Sequence, residues 1–186
     1  MKRILDIILS LILIVFFTIP ILLICILIKL DSNGPVIYWS KRIGKNKKVF
    51  QMPKLRTMFV NTPLMETNKL QNVTKRITRV GSSLRKFSLD ELPQIYLVLM
   101  GKMSIVGPRP ALISQKMLNN KREKIGIHKL KPGITGLAQI NGRDDIVLQK
   151  KIYFDHQYLK NHSLYCDITI IIKTIYVVFK QKDISH

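Results

Sequence analysis

The chain has 186 residues, with 31 Lys and Arg against 11 Asp and Glu, a net charge of +20 and a pI near 10.2. That length bounds it to one domain with appendages, and a hydrophobic content of 47% excludes a disordered polyelectrolyte. Cys25 and Cys166 stand apart, and His128, His156, His162 and His186 lack metal-ligand spacing, so neither a zinc site nor a disulfide framework is indicated. The basic excess calls for an anionic partner: nucleic acid, an anionic membrane surface or a phosphorylated substrate.

The first element is apolar. Ile7 to Ile28 is 22 residues without a charge, preceded by Lys2, Arg3 and Asp6 and followed by Lys29 and Asp31. As a helix it is long enough for a hydrocarbon core of about 30 Å. It is too long for a signal peptide and has no small-residue cleavage site after it. Pro20, near its middle, removes a backbone donor and predicts a kink, and Thr18 is placed to bond a carbonyl that the kink frees. Lys2 and Arg3 lie before the segment, and Lys29, Lys41, Arg42, Lys45, Lys47 and Lys48 after it. Basic residues at both ends fit a re-entrant helix that bends at Pro20 and returns to the cytoplasmic side; a single-pass anchor with a tolerated proline fits as well.

Asp31-Ser32-Asn33-Gly34-Pro35 reads as a turn. Val36 to Trp39 and Val49 to Met52, joined through Gly44-Lys45-Asn46-Lys47, predict a hairpin. Tyr38 and Trp39 suit either the headgroup level or a core. Lys54 and Arg56, one residue apart, share a side if that segment is extended, and suit a phosphate or plain solvation. Asn61 to Thr74 is polar and reads as a loop or lid. Lys75 to Lys86 carries Ile77, Val80 and Leu84 at helical spacing.

Ser88-Leu89-Asp90-Glu91-Leu92-Pro93-Gln94 puts two carboxylates side by side in a strongly basic chain, just after Arg85 and Lys86. Positive surroundings predict that both stay ionised. An ionised carboxylate serves as a nucleophile or as a ligand for a hard cation such as Mg²⁺. A capping box between Ser88 and Glu91 at a helix start accounts for the same residues structurally. Leu92 to Met100 predicts a helix with Pro93 in its first turn.

Met103 to Gly107 predicts a buried strand leading into Pro108-Arg109-Pro110, where two prolines fix the backbone that presents a guanidinium. Ala111 to Lys124 and Lys150 to Lys160 predict helices. Between them, Lys131 to Arg143 carries Gly133, Gly136 and Gly142, which would let backbone approach a ligand closely; it fits neither a P-loop nor a dinucleotide fingerprint. Ile168 to Phe179 is too short to span a membrane and fits an interfacial helix, a core element or a strand.

Leu89-Asp90-Glu91-Leu92-Pro93-Gln94, Met103 to Pro110 and Lys131-Pro132-Gly133-Ile134-Thr135-Gly136 together resemble the bacterial sugar transferases, the monotopic polyprenyl-phosphate phosphoglycosyl transferases. The Lys2-Arg3…Asp6 start, the proline-broken helix, Lys54 to Met58 and Ser163-Leu164…Asp167 extend the resemblance over nearly the whole chain, whose length matches the minimal catalytic form. The resemblance implies a helix-rich α/β fold with a small sheet and interfacial amphipathic helices. It implies a re-entrant anchor over residues 1–30, with Pro20 as its structural break, and a cytoplasmic catalytic domain over 31–186. It also implies transfer of a phosphosugar from a UDP-sugar to polyprenyl (undecaprenyl) phosphate at the inner membrane of a bacterium, with release of UMP, as the first membrane step of a surface or glycoprotein glycan, and both termini in the cytoplasm.

By the same resemblance Asp90 is the nucleophile and Glu91 a catalytic neighbour that binds Mg²⁺. Arg109 is a phosphate clamp, and Lys54, Arg56, Arg85, Gln139, Arg143 and Asp167 are further pocket residues. Two departures stand out: Lys102 where the family usually has an acid, and no Trp after Arg143. A membrane-tethered nucleic-acid binder would explain the charge but leaves Asp90-Glu91 and Pro108-Arg109-Pro110 without a role. A scaffold subunit with lapsed catalysis would not need the intact carboxylate pair.

Overall fold

A computed structural model of the chain describes residues 1–62, 73–142 and 146–180. The reading of Asn61 to Thr74 as a lid therefore falls mostly outside the described residues, and Arg143 falls outside them entirely.

Helix α1 runs from Lys2 to Asp31, with Pro20 inside it and no interruption. Its apolar composition sustains the helix, while Arg3, Asp6, Ser10 and Leu13 recur three and four residues apart and so share one face. That face is turned to the rest of the protein. Lys2 Nζ donates to Asp167 (2.6 Å), the Val106 carbonyl (3.0 Å) and the Tyr158 hydroxyl (3.2 Å). Arg3 donates to the carbonyls of Val98 and Leu99, the last residues of α4 (Ile95–Leu99), a favourable place for a cation. Asp6 is buried and accepts from the Ser104 hydroxyl and the Ile105 N–H at 2.9–3.0 Å. At the other end, Asp31 accepts from Val80 N–H (3.0 Å) in the first turn of α3 (Arg79–Lys86). Both ends of α1 are thus bonded to one domain. Its opposite side, including Ile12, Val15, Phe16, Ile19 and Leu23, is exposed, and α1 is long and apolar enough to cross a membrane.

The helix runs through Pro20 without a break, and the bond expected of Thr18 goes to a different carbonyl. The carbonyl that Pro20 leaves without a donor is that of Phe16, four residues earlier. The Thr18 hydroxyl donates instead to the Ile14 carbonyl at 2.6 Å, a local back-bond that does not repair the gap.

The predicted hairpin forms from β1 (Ile37–Ile43) and β2 (Val49–Leu55), antiparallel with Ile37 opposite Leu55. The short β4 (Ala111–Leu112) pairs with the far end of β1, so Ala111 and Leu112 are strand where a helix was expected, and α5 begins only at Lys116 and runs to Lys124. Tyr38 and Trp39 are exposed. A second, parallel pair joins β3 (Ser104–Val106) to β5 (Gly133–Thr135). The fold itself requires Gly133 and Gly136: a Cβ on either would stand 2.1 Å from backbone atoms of Gly107. Helix α2 (Val73–Arg76) precedes Ile77, which bridges to Met58, and Thr78, whose hydroxyl caps α3 by accepting from Gly81 N–H. Helices α6 (Leu137–Ile140), α7 (Leu148–Asn161) and α8 (Leu164–Lys180) complete the described chain; α8 settles Ile168 to Phe179 as helix.

Two apolar clusters fix these parts. Met52, Leu97, Val98, Met103, Ile105, Val106, Tyr158 and Ile170 form one, with Leu9 and Leu13 of α1 packed on it. Ile28, Leu55 and Leu84 form the other, with Ile24 and Cys25 against it. The result is a helix-rich α/β fold with a small sheet.

Asp6→Ala strands the Ser104 hydroxyl and the Ile105 N–H in the interior and should cost about 2–3 kcal/mol in denaturant unfolding of the detergent-solubilised protein. Ile12→Ala, on the exposed side, should stay within about 0.5 kcal/mol.

Candidate active site

The carboxylate pair lies on a 3-10 turn, Leu89–Gln94, that links α3 to α4. Its position depends on Ser88, which sits in the left-handed region (φ 55°, ψ 22°) and reverses the chain after α3. The predicted capping box is absent: the Ser88 side chain makes no cap bond. The Glu91 side chain turns instead toward β2 and the Pro-Arg-Pro segment. Its Oε1 accepts from Lys54 Nζ (2.6 Å) and Arg109 Nη2 (2.5 Å), and its Oε2 from Arg109 Nη1 (3.1 Å). This is a bidentate guanidinium–carboxylate pair with an ammonium added. Asp90 meets the same Lys54 only at 3.4 Å.

The two neighbours are consequently driven apart. Burial pushes the Asp90 carboxyl above the usual aspartate range; Lys54 opposes this, the Glu91 charge adds to it, and Arg109 and Arg85 lower it from further off. Burial acts on Glu91 in the same direction, but the charges and hydrogen bonds of Arg109 and Lys54 outweigh it and hold Glu91 well below its ordinary value. Basic surroundings thus dominate at Glu91, whereas burial dominates at Asp90. Titratable pairs whose environments push them apart are a feature of sites that divide chemical roles.

Of the other predicted residues, Lys54 and Arg109 are in this cluster, with Arg109 one-third exposed and so open to a ligand. Arg85 is half-buried and near enough for its charge to act on Asp90. Arg56 is elsewhere. Its backbone N–H still bonds to Val36 O (2.8 Å) past the end of β2, but its side chain is buried among other partners: Nη2 donates to Ser32 O (2.5 Å), Ser32 Oγ (2.9 Å) and Ile28 O (3.3 Å), closing the C-terminus of α1. Asp167 is likewise engaged away from the pair: it is buried and takes Lys2 on one oxygen and the Tyr158 hydroxyl (2.6 Å) on the other. Gln139 lies on α6, with buried amide atoms that make no hydrogen bond within the described residues. It faces the crossing of Gly136 over Gly107, two residues before Arg109. Pro20 stands within the uninterrupted α1, and Arg143 is outside the described residues. Tyr158, Arg122 and Asp155 carried no signal in the sequence; Asp6 belongs to the Lys2-Arg3…Asp6 start, where polar residues recur three and four apart.

The donor set bears on metal binding. Among the described residues no group of three or more His, Cys, Asp or Glu side chains is gathered as for a resident metal cage. Magnesium, however, needs only one or two carboxylates when substrate phosphates supply the rest. Asp90 and Glu91 fit that role, provided an incoming phosphate draws Lys54 and Arg109 off Glu91.

A long exposed apolar helix and a buried carboxylate pair in a cationic setting thus occur in one basic chain. A family model described as bacterial sugar transferase matches residues 1–181, and the chain belongs to that family. An uncharacterized sugar transferase of Haemophilus influenzae is 40% identical over 198 residues, spanning 97% of this chain and 41% of that protein. Exopolysaccharide production protein ExoY of Rhizobium meliloti is 38% identical over 190 residues, 94% of this chain and 83% of that protein. A UDP-glucose:undecaprenyl-phosphate glucose-1-phosphate transferase of Xanthomonas campestris pv. campestris is 43% identical over 168 residues, 83% of this chain and 34% of that protein.

Carboxyl-carbon NMR titration in micelles should find Asp90 titrating above Glu91, the reverse of the ordinary order of the two side chains. Lys54→Met removes a cation that favours ionisation of both and should move both midpoints to higher pH.

Proposed function

We propose that the chain transfers a phosphosugar from a UDP-sugar to polyprenyl phosphate, releasing UMP, through a covalent phosphosugar on Asp90. One observation carries this reading: a buried carboxylate beside a second one already neutralised by Lys54 and Arg109. Desolvation raises the reactivity of Asp90 as a nucleophile, and the two cations stand where phosphate charge must be met. The names of relatives support the substrates: those of Xanthomonas and Klebsiella pneumoniae are named for UDP-glucose and undecaprenyl phosphate, and that of Salmonella typhimurium as an undecaprenyl-phosphate galactose phosphotransferase.

In the first step an Asp90 carboxylate oxygen forms a bond to the β-phosphorus of the donor, and the bond from that phosphorus to the oxygen bridging it to UMP breaks. UMP leaves with the electron pair. In the second, a phosphate oxygen of the polyprenyl phosphate attacks the same phosphorus and the Asp90 carboxylate departs, regenerated. Lys54 and Arg109 pass from Glu91 to the donor phosphates, which frees Glu91 for a cation. Bound together with the donor, Mg²⁺ would neutralise diphosphate charge. The product would begin assembly of a surface glycan or exopolysaccharide.

The acceptor is a lipid, so the site belongs at a membrane surface. A re-entrant attachment at the cytoplasmic face of the bacterial inner membrane, with both termini in the cytoplasm, is supported by the bonding of both ends of α1 to one domain. The anchor is then residues 1–30 and the catalytic part 31–186. Exposed Tyr165, Ile168, Ile172 and Phe179 along α8 give a second apolar face for the interface.

A panel of UDP-sugars with membranes, read by UMP release, tests the activity and names the donor. Asp90→Asn should reduce UMP release to background, and the wild type with donor alone should carry a phosphosugar on Asp90 by mass spectrometry. Normal turnover by Asp90→Asn would remove the nucleophile. Glu91→Gln should slow turnover by about 10²-fold or more and weaken its dependence on Mg²⁺. Cysteines placed at the two termini should be labelled only from the cytoplasmic side; labelling from opposite sides would refute the re-entrant attachment alone.

A further inference from the structure

The segment Gly107 to Pro110 presents Arg109 to Glu91, and two of its four residues lack an N–H. It is therefore held largely through its carbonyls. Pro108 O accepts from Gly133 N–H (3.0 Å), Arg109 O from Arg122 Nη1 (2.8 Å) and Pro110 O from Arg42 Nη1 (3.3 Å). The middle bond comes from a guanidinium that is itself fixed. Arg122 lies on the buried side of α5, where Lys121, Glu123 and Lys124 are exposed. Its Nε and Nη2 both donate to Asp155 Oδ2 of α7, at 3.0 and 2.6 Å, and the two side chains are 9% and 2% exposed.

A buried ion pair is poor evidence of a stability role, because desolvating two charges offsets what their attraction contributes, and apolar residues of similar volume often serve as well. The pair does something apolar residues would not. Its remaining arm grips the backbone of the residue that pairs with Glu91. We propose that Arg122, oriented by Asp155, is a positioning residue for the proposed reaction: it fixes the backbone of Arg109 so that its guanidinium meets the donor phosphates at the Asp90–Glu91 pair. This rests on the phosphate-binding role given to Arg109 above. Neither Arg122 nor Asp155 touches Asp90 or Glu91 in the structure's hydrogen bonds, so any effect on catalysis passes through Arg109.

The test is a replacement that keeps the packing and removes the grip. Arg122→Met/Asp155→Leu substitutes an apolar pair of similar bulk. It should keep the wild-type unfolding temperature within a few degrees while UMP release from the active UDP-sugar falls roughly tenfold or more. In an Arg109→Ala background the same double change should cost nothing further, because the group it positions is gone. Full activity of the apolar pair at native stability, or an equal loss with and without Arg109, overturns the proposal. If the apolar pair fails to fold, Arg122→Lys carries the same test. Its single nitrogen can stay with Asp155 but cannot also reach the Arg109 carbonyl, so the same loss is expected, again absent without Arg109, and retention of full rate overturns the proposal. Binding of inorganic diphosphate, measured calorimetrically on these variants, reads Arg109 without turnover. The affinity should weaken roughly tenfold with the apolar pair or the lysine, and an unchanged affinity overturns the clamp. Diphosphate binding that follows this pattern in a protein releasing no UMP from any UDP-sugar would sink the transferase reading and leave the clamp standing.

Discussion

Two carboxylates adjacent in sequence and both withdrawn from water repel each other unless one of them is compensated. The Lys54–Glu91–Arg109 cluster supplies that compensation, and much of the fold serves to assemble it. Breaking a buried pair of this kind by deleting one partner typically costs about 3–5 kcal/mol, because a charge is left without its counter-ion. The arrangement is asymmetric: Glu91 receives three hydrogen bonds, while Asp90 keeps one long contact to Lys54. With Glu91 neutralised, Asp90 can be desolvated without facing a fully exposed neighbouring charge. On the proposed reading, this asymmetry is what would fit Asp90 for attack and Glu91 for a cation.

The three contributors arrive from distant parts of the chain, so each needs its own support. Lys54 is carried by β2, whose register on β1 is fixed over seven residue pairs from Ile37–Leu55 to Ile43–Val49. Glu91 is aimed by the left-handed Ser88 and by the 3-10 turn against β2. Arg109 leaves the end of β3, which is clamped from below by Lys2 and Tyr158 on the Val106 carbonyl and from the side by β5. The bare backbones of Gly107, Gly133 and Gly136 allow that last approach, since side chains there would occupy the same space. Pro-Arg-Pro then removes the freedom that would otherwise remain between β3 and the guanidinium.

This explains what could be read from residues and what could not. The hairpin, the buried strand before Pro-Arg-Pro and the helices over Lys150 to Lys160 and Leu92 to Met100 follow local rules of periodicity and turn chemistry, and they are present within a few residues. The Asp90-Glu91 pair stood out because adjacent acids are unusual in a basic chain, and Arg109 because a proline flanks it on each side. Arg56 is placed with Ser32 and Ile28 at the end of α1, partners that no local spacing around Lys54 announces. Asp167 misled because nothing local distinguishes an acid in a pocket from one that anchors a lysine 165 positions away. The capping box at Ser88 was plausible by pattern and lost to two cations supplied from other elements. Arg122 and Asp155 carried no sequence signal, since a charged residue on an amphipathic helix normally faces water.

A spanning helix that served only as an anchor would have no need of a polar stripe at one end. Here Lys2, Arg3, Asp6 and Ser10 all face the domain, and Asp6 and Ser10 are fully withdrawn from solvent. Lys2 and Asp6 act directly on β3, the strand that delivers Arg109. Helix α1 is therefore a structural member of the site as well as an apolar surface, and detaching it would remove the floor under β3. The apolar helix and the Arg109 guanidinium thus lie on one continuous chain of contacts: α1, β3, Pro-Arg-Pro, Glu91. On the proposed reading, the depth of α1 in a bilayer would set the height at which the carboxylate pair meets a lipid acceptor.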